Sequence, residues 1–421
     1  MEVEAWLPRA AAAHPRRIAL GTLGYARLLA EAQRAARALA AAGVGRGDHV
    51  AIVLPAGEDF AVALHGCLLL GAVAVPIDQR LPEAERARRA AACLITVDRA
   101  LAGDGDPGAA LDPVHDLDAP AVVIHTSGTT AEAEPVTLTY GNWLWSALGS
   151  AVALGLDAEE RWLCCLPVAH VGGLSILVRS AIYGTTALVH ERFDPDRVLA
   201  ALRDPAGPTL VSLVPATLSR LLDAGLREPP TLRWALLGGA AIPDRLLDRA
   251  AAAGVPVAPT YGMTEACSQV LTNGAPLFCT SVELDPGGEI LVSGPTVSPT
   301  VGPVLRTGDR GRVEPDGRIT VLGRADAVII SGGENVAPEA VEAVLETHPA
   351  VAEAAVHGRA DARWGQAVVA TVVARDGHAV DADALIEHCR ARLAPWEVPK
   401  AITVADALPR TAAGKLLRRA L

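Results

Sequence analysis

From Asp48 to about Pro259, short apolar runs alternate with longer stretches whose apolar positions recur at helical spacing. The pattern predicts strands near Val50–Leu54, Val73–Ile77, Leu94–Val97, Ala121–His125, Trp162–Leu166, Thr186–His190, Leu210–Leu213, Trp234–Leu237 and Val255–Ala258. Helices such as Glu83–Ala92 and Pro243–Ala252 lie between them. This alternation predicts an α/β protein, with a large N-terminal domain of largely parallel sheets flanked by helices. After Gly287 strands and turns crowd together, as a small β subdomain completing that domain would require.

Between Arg306 and Val336 the pattern tightens. Glu314-Pro315-Asp316-Gly317 reads as a turn between the strand-like runs Arg312–Glu314 and Arg318–Leu322. Gly323-Arg324-Ala325-Asp326 then leads into the apolar run Ala327–Ile330 and the pair Gly332-Gly333, where glycines permit close backbone approach or motion. Beyond Asp326 the order is helix (Pro338–Thr347), strand (Val351–His357), strand (Gln366–Ala374), helix (Ala382–Arg392), strand (Ala401–Val404). That is a compact α+β unit large enough for its own core. Two domains are therefore expected, 1–325 and 326–421, with Ala102–Pro120 as a surface connection.

Composition narrows the function classes. Hydrophobic residues make up 51% and charged residues 20%, as in a folded chain. A net charge of −11 with no concentrated Lys/Arg face argues against nucleic acid as a partner. The run Phe60–Ile77 holds a single ionisable residue, His65, but Gly71 and Pro76 interrupt it. It predicts a buried helix and a core strand, with no membrane span. The N-terminus lacks a signal-peptide pattern. Seven cysteines without a C-x-x-C pair fit reduced thiols, and both features point to a cytoplasmic protein.

Candidate chemistry gathers at strand ends. Thr126-Ser127-Gly128-Thr129-Thr130 follows the strand Ala121–His125, and its hydroxyls and N–H groups suit a phosphate-binding loop, although it is not a Walker A sequence. Tyr261-Gly262-Met263-Thr264-Glu265 closes a strand and is expected to open a helical segment, placing polar groups at an anion-binding end. Leu237-Gly238-Gly239-Ala240 follows another strand, where its glycines suit either a ligand or close helix packing.

Together with Thr307-Gly308-Asp309, Gly323-Arg324-x-Asp326, Ser331-Gly332-Gly333-Glu334-Asn335 and Pro409-Arg410-Thr411-x-x-Gly414-Lys415, these motifs resemble the adenylate-forming superfamily. That superfamily contains acyl-CoA and aryl-CoA synthetases, luciferases and the adenylation domains of peptide synthetases. The resemblance implies ATP and Mg²⁺ as cofactors, CoA as co-substrate and a small carboxylic acid as substrate. It implies that Tyr261 stacks on adenine beside Gly238, Gly239 and Ala240, and that Asp309 holds the ribose with support from Arg324. Thr264 then touches the α-phosphate, Glu265 ligates Mg²⁺, and Lys415 bridges the reacting carboxylate and the nucleotide. Asp326 would be the hinge of a mobile C-terminal domain, and Ser331, Gly332 and Gly333 would line the pantetheine path. One departure stands out: the family's loop continues Gly, any residue, Pro, Lys, whereas this chain has Ala131, Glu132, Ala133 and Glu134. A nucleotide-binding protein with impaired catalysis is therefore a rival reading.

The acid itself is addressed by Leu166–Arg179. His170 resembles the gating histidine of acyl-CoA ligases, and the absence of a carboxylate between Val168 and Val178 argues against an amino-acid substrate. Arg179 either faces the pocket and offers a fork to a second substrate carboxylate, or is a surface or salt-bridged residue. The segments His170–Gly184 and Tyr261–Gln269 resemble the o-succinylbenzoate-CoA ligase branch of menaquinone biosynthesis, whose substrate has two carboxylates. Gly239 and Ser268 complete the implied acid site. Another aryl- or acyl-CoA ligase is the alternative within the family, and a homodimer is an open expectation.

Overall fold

A computed structural model of the protein describes all residues except 102, 104, 127–133, 325–328, 332–333, 362–363 and 411–415. The predicted strands are present but divide between two sheets. One holds nine strands in the order Ala275–Pro276, Ser268–Thr272, Val257–Met263, Trp234–Leu237, Leu210–Leu213, Arg161–Cys164, Thr186–Val189, Ile18–Leu20 and Leu23–Gly24. Its middle is parallel, and the pairs at both ends are antiparallel. The other holds five, in the order Ile95–Val97, His49–Ile52, Val73–Pro76, Pro120–His125 and Pro135–Thr139, parallel except for the last pair. Apolar runs buried on both faces explain why these strands show no clean alternation.

Helices Tyr25–Ala41, Glu58–Leu70, Tyr140–Leu154 and Val171–Tyr183 pack into the main core. The Phe60–Ile77 run becomes the buried helix Glu58–Leu70 and the strand Val73–Pro76, as its breaks predict. Among the described residues no helix is long and apolar enough to cross a membrane. The connection at 102–120 contains a feature the sequence hides. Val114–Asp116 pairs antiparallel with Glu2–Glu4, a strand too short and polar to show in the pattern.

The β subdomain is a four-stranded antiparallel sheet of Ser281–Leu284, Glu289–Ser293, Val304–Val313 and Ile319–Arg324. The predicted hairpin is its last pair, with longer strands than expected. In the C-terminal unit, helices Pro338–Glu346 and Ala382–Arg390 cover a sheet built on Val351–Asp361, Gly365–Ala374 and Ala401–Ala405. It has its own apolar cluster, centred on Val341, Leu345, Val356, Val368 and Leu385. The expected boundary and hinge at Asp326 lie outside the described residues.

Candidate active site

Polar groups converge where the parallel strands end. Val257–Met263 runs on to Met263, followed by a three-residue 3-10 turn, Thr264–Ala266, before the chain reverses into Ser268–Thr272. The helical segment expected after Tyr261 is thus a single tight turn. Cys267 and Ser268 take positive φ values of 52° and 93° to make it, a strain typical of ligand sites. Gly262 is obligatory here, since a Cβ would lie 1.7 Å from the Ser268 carbonyl oxygen.

Tyr261 reaches across to the β subdomain and donates from its hydroxyl to Asp309 Oδ2 at 2.7 Å. Burial, reinforced by the Asp309 carboxylate, raises its pKa and keeps the phenol protonated as donor. The Asp309 N–H donates to Thr307 Oγ1 at 3.0 Å, and Arg324 Nη1 donates to the Thr307 carbonyl at 2.9 Å while standing 3.7 Å from Asp309 Oδ1. Gly308, at φ 68°, lets Arg324 lie across it, because a Cβ would meet Nη2 at 2.8 Å. Its N–H donates to Glu289 Oε1 at 3.0 Å. Tyr261, Asp309 and Arg324, which are distant in sequence, thus form one clamp.

Gly238 and Gly239 sit at the end of the neighbouring strand. A Cβ on Gly238 would come within 2.7 Å of Thr260, and Gly239 has φ 80°. Ala240 follows as an exposed residue. Thr264 and Glu265 are half-buried on the 3-10 turn, and the Glu265 carbonyl accepts from the Ser298 N–H at 2.7 Å. The Glu265 carboxylate has no hydrogen-bond or ion-pair partner among the described residues. A half-buried carboxylate left open in this way fits a hard oxygen-seeking cation such as Mg²⁺.

His170 is the N-cap residue of Val171–Tyr183, with Nε2 3.9 Å from Asp78 Oδ2. Burial lowers its pKa, with Asp78 opposing and Arg80 adding to the shift. Asp78 in turn is gripped by Arg80, with Nε 2.9 Å from Oδ1 and Nη2 2.6 Å from Oδ2. Burial would raise the Asp78 pKa, but these hydrogen bonds hold it below the usual range. Sequence reading missed this pair; its place just past the strand Val73–Pro76 was the available signal.

Arg179 is not a surface residue, and among the described residues it has no salt bridge. It is 1% exposed, lies over the Trp162 ring at 5.6 Å, and donates from Nη2 to Ser146 Oγ at 2.9 Å. Its Nε and Nη1 have no partner among the described residues. Burial lowers its pKa, with Tyr183 and Cys267 opposing. Ser146 Oγ donates onward to the Cys267 carbonyl at 2.5 Å, joining Arg179 to the turn that carries Glu265 and Ser268. Nothing local in the sequence marks Ser146.

Thr126 opens the candidate phosphate loop, and both its N–H and its hydroxyl bond the Glu134 carbonyl, at 2.9 and 3.3 Å. Ser127, Gly128, Thr129, Thr130 and the departures Ala131 and Ala133 lie outside the described residues, as do Gly332, Gly333 and Lys415. Ser331 is buried, and its hydroxyl has no partner among the described residues. On either side of Lys415, Arg410 bridges Leu416, and the Leu417 N–H donates to the Pro409 carbonyl at 2.8 Å. Arg418 forks onto Glu342 at 2.9 and 2.8 Å.

Known proteins resemble this chain over its whole length. The chain is 37% identical to the 2-succinylbenzoate–CoA ligase of Bacillus licheniformis, over 99% of its own length and 98% of the relative's. It superposes on the o-succinylbenzoate CoA synthetase of Bacillus subtilis in complex with the acyl-adenylate intermediate with a TM-score of 0.92, at 35% identity, covering 100% of this chain and 98% of that one. The same synthetase with ATP and magnesium ion gives 0.91, at 35% identity and 100% and 99% coverage. A double mutant of it bound to a product analogue gives only 0.73, at 35% identity and 100% and 98% coverage. The chain thus superposes more fully on the ATP and adenylate complexes than on the product-analogue complex. The AMP-binding enzyme family matches residues 7–98 and 95–313, and its C-terminal domain matches 340–415, so this chain belongs to the AMP-binding, adenylate-forming enzymes.

Proposed function

We propose that this chain is an ATP-dependent acid:CoA ligase that activates 2-succinylbenzoate for menaquinone biosynthesis. The observation that carries it is full-length likeness, in both domains, to a synthetase solved with its acyl-adenylate. In the first half-reaction a substrate carboxylate oxygen attacks the α-phosphorus of ATP, giving acyl-AMP and pyrophosphate. In the second the CoA thiol attacks the acyl carbonyl, forming the thioester and releasing AMP.

Asp309, placed by Tyr261 and Thr307, accepts from the ribose hydroxyls, and Thr264 donates to the α-phosphate. Magnesium held at Glu265 would neutralise charge on the phosphates. Lys415 supplies positive charge between carboxylate and nucleotide, and the C-terminal domain turns about Asp326 between the two steps, bringing Ser331, Gly332 and Gly333 to the CoA. His170, backed by Asp78, gates the acid site. Arg179 is the expected partner of the second carboxylate: its burial and unpartnered Nε and Nη1 support that role. A cytoplasmic site of action and a homodimer belong to the same proposal.

The test is pyrophosphate release, followed by thioester formation with CoA, across 2-succinylbenzoate, benzoate and fatty acids. Preference for 2-succinylbenzoate supports the reading. Equal rates point to a general acyl-CoA ligase, and no release from any acid points to an impaired homologue.

A further inference from the structure

The helix Pro338–Glu346 has no basic residue in its last turn and ends on Glu346 instead. Both features oppose the negative end of the helix dipole, and the last carbonyls of any helix lack partners within it. The missing cation comes from the other domain. Arg245, at the start of Asp244–Ala252, donates from Nη1 to the carbonyl oxygens of Glu346 at 3.0 Å and Val351 at 3.3 Å. Its Nη2 donates to the Ala352 carbonyl, and its Nε stands 3.7 Å from Glu346 Oε2. One guanidinium thus engages three main-chain acceptors and a carboxylate at the point where the helix turns into Val351–Asp361. From within the C-terminal domain, Arg375 binds the same turn through the Pro349 and Val351 carbonyls, both at 2.9 Å.

We infer that Arg245 is a positioning residue for adenylation: it caps a helix of the C-terminal domain and holds that domain in the arrangement described here. The acceptors are main-chain carbonyls, so the grip depends on where the turn stands rather than on its side chains. Hydrogen bonds of this kind do not survive a donor–acceptor separation beyond about 3.5 Å. Turning the C-terminal domain must therefore break all of them together and return the carbonyls to water. The contact biases the two-domain equilibrium toward the adenylating arrangement and opposes the second step. This inference rests on the two-step reading above.

Arg245→Met and Arg245→Lys, measured in the full chain, test it. Acyl-AMP formation from 2-succinylbenzoate and ATP is followed by pyrophosphate release, and thioester formation is followed from supplied acyl-AMP and CoA. Arg245→Met is expected to slow the first about five- to thirtyfold, mainly in kcat, by releasing several hydrogen bonds. The second should be unchanged or faster. Arg245→Lys, which keeps charge at the helix end, should recover a substantial part of the first rate. Equal loss in both half-reactions, no loss in either, or loss that Lys does not relieve overturns the inference. Should the Met variant fail to fold, the Lys variant decides alone: adenylation lowered with thioester formation kept supports the role, and any other pattern overturns it. An unmodified chain that makes no acyl-AMP would instead overturn the proposed function.

Discussion

The proposed nucleotide end and the proposed acid end of the site are built in opposite ways. Around Asp309, polar groups satisfy one another: Tyr261, Thr307, Arg324 and Glu289 share short hydrogen bonds across two sheets. Each such bond contributes about 0.5–1.5 kcal/mol net, so no single one dominates. Around Arg179 the protein does the reverse, enclosing a cation over Trp162 with Ser146, among the described residues, as its one side-chain hydrogen-bond acceptor. An unpaired buried charge costs several kcal/mol, which a substrate carboxylate would relieve. In the proposed reading, the clamp would distribute affinity for a nucleotide common to many enzymes, and Arg179 would concentrate the discrimination between acids.

Removing the group proposed to act where the two ends meet should have the largest effect. Lys415→Ala is expected to slow adenylation by about 10²–10³-fold, the range for one well-placed electrostatic group, and to spare thioester formation from supplied acyl-AMP. Equal loss in both half-reactions, measured separately, would remove Lys415 from that role.

The acid end comes next. Arg179→Leu should raise KM for 2-succinylbenzoate about 10- to 100-fold while changing KM for benzoate far less, because only the former leaves a carboxylate unpaired. Its thermal midpoint should stay level or rise, since an unpaired buried charge has gone. A fall in the midpoint with equal loss for both acids would make Arg179 structural and dissolve the contrast drawn above.

A smaller effect is expected at the phosphate loop. Glu134 presents a like charge to the phosphates, and the triple change Ala131→Gly, Ala133→Pro, Glu134→Lys should lower KM for ATP several-fold. At an effective dielectric near 20 a charge pair 4 Å apart is worth about 4 kcal/mol, much of it screened at an exposed site. The gain should shrink with added salt. A silent triple change in a fully active chain would show that this loop does not grip phosphate.

The mildest change sharpens the description of the nucleotide end. Tyr261→Phe removes one hydrogen bond from the clamp and should raise KM for ATP about two- to tenfold without affecting the acid. A hundredfold loss would mean that the clamp hangs on a single residue after all.

The chain's own pattern determined most of the buried parallel strands, the split into a large α/β unit and a small α+β unit, and the identity of the motif residues. Strand burial and turn chemistry are local, and Leu210–Leu213 and Trp234–Leu237 have the bounds the pattern predicts. Only the tertiary structure decided that these strands form two sheets, because pairing depends on contacts far apart in sequence. It also decided that the residues after Tyr261 make a strained turn rather than a helix, forced by the Ser268 carbonyl against Gly262. The helix phase of Arg179 could be read either way, and only the structure shows it buried against Trp162 and Ser146. The place of Asp78 just past a strand hints at a site but not at its partner His170, and Arg245 beneath the C-terminal helix carries no local signature. Long polar side chains act where the fold delivers them, and the sequence alone does not say where that is.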